Sequence, residues 1–204
     1  MSQQTNISPH TEADRRLLII AATWRVIIQQ GISAASLRTI AREMDATTGL
    51  VTRYFPEKQG LMVASLEAAT GVLNNALAKS VVNLKSRARL EAVVLAALPA
   101  SGVRLRAWQL WVAFIAEIPA APELKCIHML FPDSLRKHLV QGLREAQLEG
   151  RITREAYPPQ LADTLMDQII GIGVRAITEP ARYRPERLPG QIALLFARIM
   201  EKPD

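Results

Sequence analysis

The sequence predicts an all-α protein of about nine helices, with a small N-terminal head followed by a larger helical body. Apolar residues recur at helical spacing from end to end. Strand signals are weak: no Asn-Gly or Asp-Gly hairpin turn occurs, and no run alternates apolar and polar residues between turns. The breaks between periodic segments fall at proline and glycine clusters, Pro99 to Gly102, Pro119 to Pro122, Gly150 to Pro159 and Pro180 to Pro189. With 204 residues, 49% hydrophobic and 22% charged, the chain can bury a core without a metal or disulfide, and its composition is not that of a disordered chain.

Residues 1–10 read as a polar tail without the features of a signal peptide. A first helix is expected from Thr11 to Gln30, with Ile20, Thr23, Trp24 and Ile27 on one face and Gly31 as a left-handed stop. Ser36 caps a short second helix whose Leu37, Ile40, Ala41 and Met44 fall on one stripe. Asp45 tolerates a turn conformation, Thr47 caps a third short helix, and Val51 and Phe55 stack one turn apart. Pro56 closes that segment, because the residue before a proline is pushed out of helical geometry.

A long fourth helix follows, 57–82, with Leu61, Ala64, Leu66, Ala69 and Leu73 as candidate core. Further helices are expected over 86–98, 102–118, 123–150, 159–178 and 187–201, with Pro132 kinking or restarting the third of these. No internal repeat is evident, which argues against a solenoid. The expected organisation is a tail over 1–10, a head over 11–58 and a body over 59–204.

Charge and motifs narrow the function. The net charge of +6 suits an anionic partner but does not locate it: up to Lys58 the basic residues exceed the acidic ones by only two. The longest apolar runs, such as Leu110 to Ala116, fall well short of the roughly 18–20 residues that span a bilayer, so no membrane partner and a cytoplasmic location are expected. The single cysteine, Cys126, fits a reducing compartment. No nucleophile elbow, phosphate-binding glycine loop or His-Glu-x-x-His occurs. Cys126-x-His128, with Glu123 and His138 nearby, is the one metal-like arrangement, but its spacing does not put Cys126 and His128 on one helical face. A small buried Cys126 beside a surface His128 is the plainer reading. Neither an enzyme, a metal nor a cofactor is expected.

Residues 36–55 have the shape of a helix-turn-helix braced by the first helix, an arrangement that fits the DNA major groove. Val51 and Phe55 would face the core, leaving Thr48, Gly49, Leu50, Thr52 and Arg53 outward. Gly49 would let a sugar–phosphate chain approach. Thr47 and Thr48 can hydrogen-bond phosphate or bases, Leu50 can touch a thymine methyl, and Arg53 can pair with guanine or hold a phosphate. Lys58 lies in the first turn of the fourth helix, where free backbone N–H groups already favour phosphate.

The stretch from Ser36 to Leu61, with Arg15-Arg16, Ala21-Ala22 and Gly31 before it and Tyr54-Phe55-Pro56 within it, strongly resembles the DNA-binding head of TetR/AcrR-type transcriptional regulators. That resemblance implies a recognition helix over 47–54, a phosphate anchor at Lys58, and DNA-contacting roles for Ser36, Arg38, Thr47, Thr48, Gly49, Leu50, Thr52, Arg53 and Tyr54. Two positions depart from the family pattern. Asp45 stands where a turn glycine is usual, and Thr52 stands where an aromatic residue commonly contacts phosphate.

The resemblance also implies a helical body that dimerises and holds a ligand pocket. The last two predicted helices present Leu161, Leu165, Ile169, Ile172 and Val174, then Ile192, Leu195, Phe196 and Ile199. An apolar arc this wide suits a two-fold four-helix interface as well as intrachain core. The segment from Arg106 to Ile118 resembles the ligand-domain helix of the BetI-like branch. Trp108 and Trp111 near Glu117 could cage a quaternary ammonium, although plain core packing is favoured for the tryptophans. A pocket would be lined by Trp111, Ile115, Met129, Phe131, Met166 and Ile170.

These readings converge on a homodimeric regulator, a repressor of a near-palindromic double-stranded operator released by a small cationic or apolar effector. A helical small-molecule-binding protein without specific DNA binding is the alternative.

Overall fold

Side-chain caps begin the three head helices. In α1 (Glu12–Gln30), Thr11 Oγ1 accepts from the Asp14 N–H at 3.1 Å, while the Asp14 carboxylate accepts from the Thr11 N–H, a reciprocal capping box. Ser36 caps α2 (Leu37–Glu43) through the Thr39 N–H, and Thr47 caps α3 (Thr48–Tyr54) through the Leu50 N–H. A computed structural model of the protein describes residues 11–187 together with 190, 192 and 196, and among them no strand occurs.

After the head come α4 (Lys58–Ser80), α5 (Ser86–Ala97), α6 (Gly102–Ala113), α7 (Pro122–Leu148) and α8 (Pro158–Thr178). The chain divides into two units, Met1–Ser65 and Leu66–Asp204. The division lies seven residues beyond the 58/59 boundary expected from sequence, because Leu61, Met62 and Ser65 are buried with the head. The Trp24 indole N–H donates to the Ser65 carbonyl at 3.2 Å.

In the head, Ile19, Ala22, Val26, Ile27, Ile40, Ala41, Val51 and Phe55 form the core around Trp24. Gly31 does end α1, its N–H closing onto Ile27 O, but with φ 87° and ψ 164°. Its φ is positive as expected, while ψ is extended rather than left-handed helical, because the chain leaves directly for the next turn.

The body is organised around α7, which packs against both α5 and α8. Two glycines permit close approaches in the body, Gly142 of α7 against α5 and Gly173 of α8 against α6. A Cβ on Gly142 would lie 2.8 Å from Leu90 Cγ, and one on Gly173 would lie 2.4 Å from the Trp108 ring. Glu145 of α7 caps α5, accepting from the Ser86 N–H at 2.7 Å and from Arg89 Nε at 3.2 Å. Ser86 sits at φ 49°, a conformation a serine rarely adopts, and this carboxylate bond helps hold it there. Across the outer surface, Arg136 makes a bidentate bond to Asp163 of α8.

Several sequence expectations needed correction. Pro132 does not restart the helix: α7 runs through it as one element. The segment expected over 102–118 stops at Ala113 and tightens into a 3₁₀ turn, Phe114–Glu117. In α4, Leu66, Ala69, Leu73 and Leu77 are buried alongside Leu61, while Ala64 is half-buried. This helix is long and apolar enough to cross a membrane by composition, although polar residues interrupt every apolar run within it. Its leucines are enclosed within the protein, the pattern of a core helix. The tail over 1–10 and most of the ninth helix, including Leu195 and Ile199, lie outside the described residues; Ile192 and Phe196 are buried.

The two kinds of glycine give a direct test. Gly173→Ala, forced against an indole, should destabilise the fold by about 1–3 kcal/mol. Gly71→Ala, inside α4 with nothing within 4 Å of the added Cβ, should stabilise it by about 0.4–1 kcal/mol. Urea denaturation of the two variants should therefore give opposite shifts in midpoint.

Candidate functional site

The head presents its third helix on one edge. Asp45 takes φ 51° between α2 and α3, and the Ala46 N–H reaches back to Ala41 O at 2.9 Å, closing the turn without glycine. Val51 and Phe55 are buried, so the opposite side of α3 faces outward. Thr47, Thr48, Gly49 and Arg53 are exposed there, with Leu50, Thr52 and Tyr54 half-buried. Ser36, Arg38 and Lys58 are exposed as well. Among the described residues, Arg38, Arg53 and Lys58 pair with no carboxylate, which leaves their charges available to an anion.

Some hydroxyls on this edge are already engaged. Ser36 and Thr47 accept from backbone N–H groups as caps, and Thr52 donates to Gly49 O at 3.2 Å. Thr48 forms no such bond among the described residues. At Gly49 an added Cβ would meet only Thr47 Oγ1, at 3.9 Å. Neither backbone conformation nor internal packing demands glycine here.

The brace is tied to both short helices by arginines. Arg25 of α1 pairs with Glu43 of α2 at 2.6 Å. Arg16 of α1 donates Nη1 to Tyr54 O at 2.8 Å, and its guanidinium lies over the Phe55 ring, 4.2 Å from the centroid. Sequence spacing placed Arg16 within the motif but showed no role for it, since its partner is 38 residues away and is a backbone carbonyl.

In the body, Trp108, Trp111 and Phe131 form an edge-to-face cluster with centroids 5.4–5.7 Å apart, all fully or nearly fully buried. Both indole N–H groups are spoken for. Trp108 donates to Ala97 O at 2.7 Å and Trp111 to His128 O at 3.1 Å. His128 O is the carbonyl that Pro132, lacking an N–H, cannot bond within the helix. The His128 ring stacks on Trp111 at 4.1 Å and its Nε2 lies 3.2 Å from Trp111 O, so the neutral ring bearing its proton on Nε2 donates there.

This reverses one sequence expectation: Cys126 is exposed and His128 buried. Among the other candidate pocket residues, Ile115 and Met129 are exposed, whereas Met166, Ile170 and Glu117 are half-buried. Of the candidate dimer residues, Leu165, Ile169, Ile192 and Phe196 are already enclosed within a single chain. Leu161 and Ile172 are half-buried, with Ile172 beside Gly173 and Leu161 one turn before Leu165.

A three-helix head with a capped, outward-facing third helix and unpaired arginines and lysine defines a helix-turn-helix protein of the DNA-binding class. The family model "Bacterial regulatory proteins, tetR family" matches residues 19–64, and "BetI-type transcriptional repressor, C-terminal" matches residues 86–200. The chain belongs to the TetR family of transcriptional regulators, with a BetI-type C-terminal domain. It is 32% identical to the HTH-type transcriptional regulator BetI of Burkholderia thailandensis over 144 residues, 70% of this chain and 73% of that protein. Against BetI of Rhizobium meliloti it is 28% identical over 134 residues, 65% of this chain and 66% of that one, so the match spans just under two thirds of the relative. A putative transcriptional regulator from Saccharomonospora viridis, solved in complex with choline, shares the fold with a TM-score of 0.83 at 20% identity, covering 94% of this chain and 100% of that one.

Burial holds the His128 ring below its ordinary pKa against the opposing bond to Trp111 O, and burial followed by the Arg89 and Lys137 charges does the same for His138. The unfolded chain therefore binds more protons than the folded one as pH falls through about 6.5. Stability should be full above that value and decline below it. Urea midpoints at pH 7.5 and 5.5 check the sign, with the lower midpoint expected at pH 5.5.

Proposed function

We propose that this protein is a repressor acting in the cytoplasm, reading a near-palindromic double-stranded operator as a homodimer and releasing it when a small effector binds the body. The observation that carries the DNA-reading part is the open edge of α3, above all Gly49, whose missing Cβ serves nothing inside the chain. A bare backbone with outward Thr48 and Arg53 beside it suits close approach to a nucleic-acid strand. Arg38 and Lys58 extend the same edge with charge, and two copies would present it to two half-sites. Supporting the dimer, α8 keeps Leu161, Ile172 and Val174 half-exposed in the single chain; the enclosed Leu165 and Ile169 would back that surface rather than form it.

For the effector, a quaternary ammonium is the favoured class, supported by the choline held in the Saccharomonospora viridis relative. Such a molecule releases DNA only if it binds the released conformation more tightly. Thermal unfolding with millimolar choline should shift upward, whereas an equal concentration of neutral neopentyl alcohol should not move it.

Selection from a random duplex library tests the operator claim. Lys58→Ala should weaken selected and scrambled duplexes alike and lower the salt slope by about one per head, about two for the dimer. Arg53→Ala should cost about 1–3 kcal/mol per half-site and relax preference at one position in each. Gly49→Ala should leave folding unchanged or improved by up to about 1 kcal/mol through helix propensity, yet weaken operator binding. Enrichment of no motif, together with strong small-molecule stabilisation, would instead favour a helical ligand-binding protein without specific DNA binding.

A further inference from the structure

We propose that Arg16 is a positioning residue of the DNA-reading head, fixing the C-terminal end of the recognition helix without touching DNA itself. The inference rests on the operator-reading function proposed above and adds a residue to it.

The recognition helix α3 has seven residues, two turns, too few to hold its own geometry in water. Its start is fixed by the Thr47 cap and by burial of Val51. Its end lacks an equivalent device in its own sequence. The chain leaves the helix at Phe55, which takes φ −137°, so the carbonyls of the last turn have no following helical N–H groups to accept from. Tyr54 O is one of those carbonyls, and the bond it accepts comes from Arg16.

Two contacts are made at once by one planar group. Nη1 reaches Tyr54 O at 2.8 Å while the guanidinium face covers the Phe55 ring at 4.2 Å. The positive charge therefore sits against the negative end of the helix dipole, and the ring contact fixes its orientation. Arg53 and Thr52, on the outward side of the same last turn, take their direction from the backbone that Arg16 holds. A lysine offers charge at this point but no plane that can bond and stack together.

The test uses full-length protein and the duplex the unmodified chain selects from a random library, with a scrambled duplex beside it. Dissociation constants for both are measured across a salt series for the parent, Arg16→Ala, Arg16→Lys and Lys58→Ala. A positioning role predicts that Arg16→Ala lowers the selected-over-scrambled ratio roughly tenfold across the two heads of a dimer. Its salt slope should stay at the parent value, while that of Lys58→Ala falls by about one for each phosphate no longer neutralised. Arg16→Lys should leave the ratio lowered.

A reduced salt slope for Arg16→Ala would overturn the inference by making Arg16 a phosphate ligand. So would an equal weakening on both duplexes, an unchanged ratio, or full recovery with lysine. If Arg16→Ala loses its helical circular dichroism, Arg16→Lys, which keeps the stem and charge, carries the same comparison. A parent chain that selects no motif overturns the operator reading itself, an outcome distinct from a parent that selects one and an Arg16 variant that keeps it.

Discussion

Backbone carbonyls left without a partner where helices end or meet proline are the constraint on which much of this structure turns. A proline interrupts the ladder of N–H donors, and a carbonyl left behind in a protein interior has to be satisfied from elsewhere. At the last residues of α3 and α5, and four residues before Pro132, the stranded groups are Tyr54 O, Ala97 O and His128 O, and each is taken by a side chain from another helix: Arg16, Trp108 and Trp111. Each such bond is geometrically demanding, so it fixes the position of one helix against another more sharply than apolar contact alone. The Trp111–His128 exchange does this in both directions, which is why α7 passes through Pro132 without a break.

The same constraint explains the division of labour among the aromatic residues of the body. An indole is large enough to fill the space between α5, α6, α7 and α8, and it carries one donor that must be placed. Trp108 is enclosed by Ala97 O at one end and by the bare backbone of Gly173 over its ring. Cluster geometry with Trp111 and Phe131 is edge-to-face, as the ring quadrupoles favour. The pattern that resembles a ligand helix in sequence thus contributes its tryptophans to the core of the body.

In the head, by contrast, most of the architecture was legible along the chain. Thr11, Ser36 and Thr47 were recognisable as caps because capping is a local act, completed within three residues. Val51 and Phe55 were recognisable as core by their one-turn spacing. Asp45 was recognisable as a turn residue because aspartate tolerates the left-handed region better than most side chains. Legibility failed where partners are distant. Nothing near Arg16 in sequence announces Tyr54 O, and nothing near His128 shows that its carbonyl is freed by one proline and taken by a tryptophan 17 residues earlier.

By itself, then, the sequence determined the helical class, the order of the elements, the caps that start the head helices and the set of polar residues on the outward edge of the third helix. These follow from periodicity and from interactions spanning a turn or less, which the chain carries wherever it goes. Only the tertiary structure decided that His128 is buried and Cys126 exposed, that Leu165 and Ile169 are enclosed within one chain, and that Gly173 exists to admit an indole. Those outcomes depend on which helix lies opposite, and a periodic apolar stripe says that a face must be covered without saying by what.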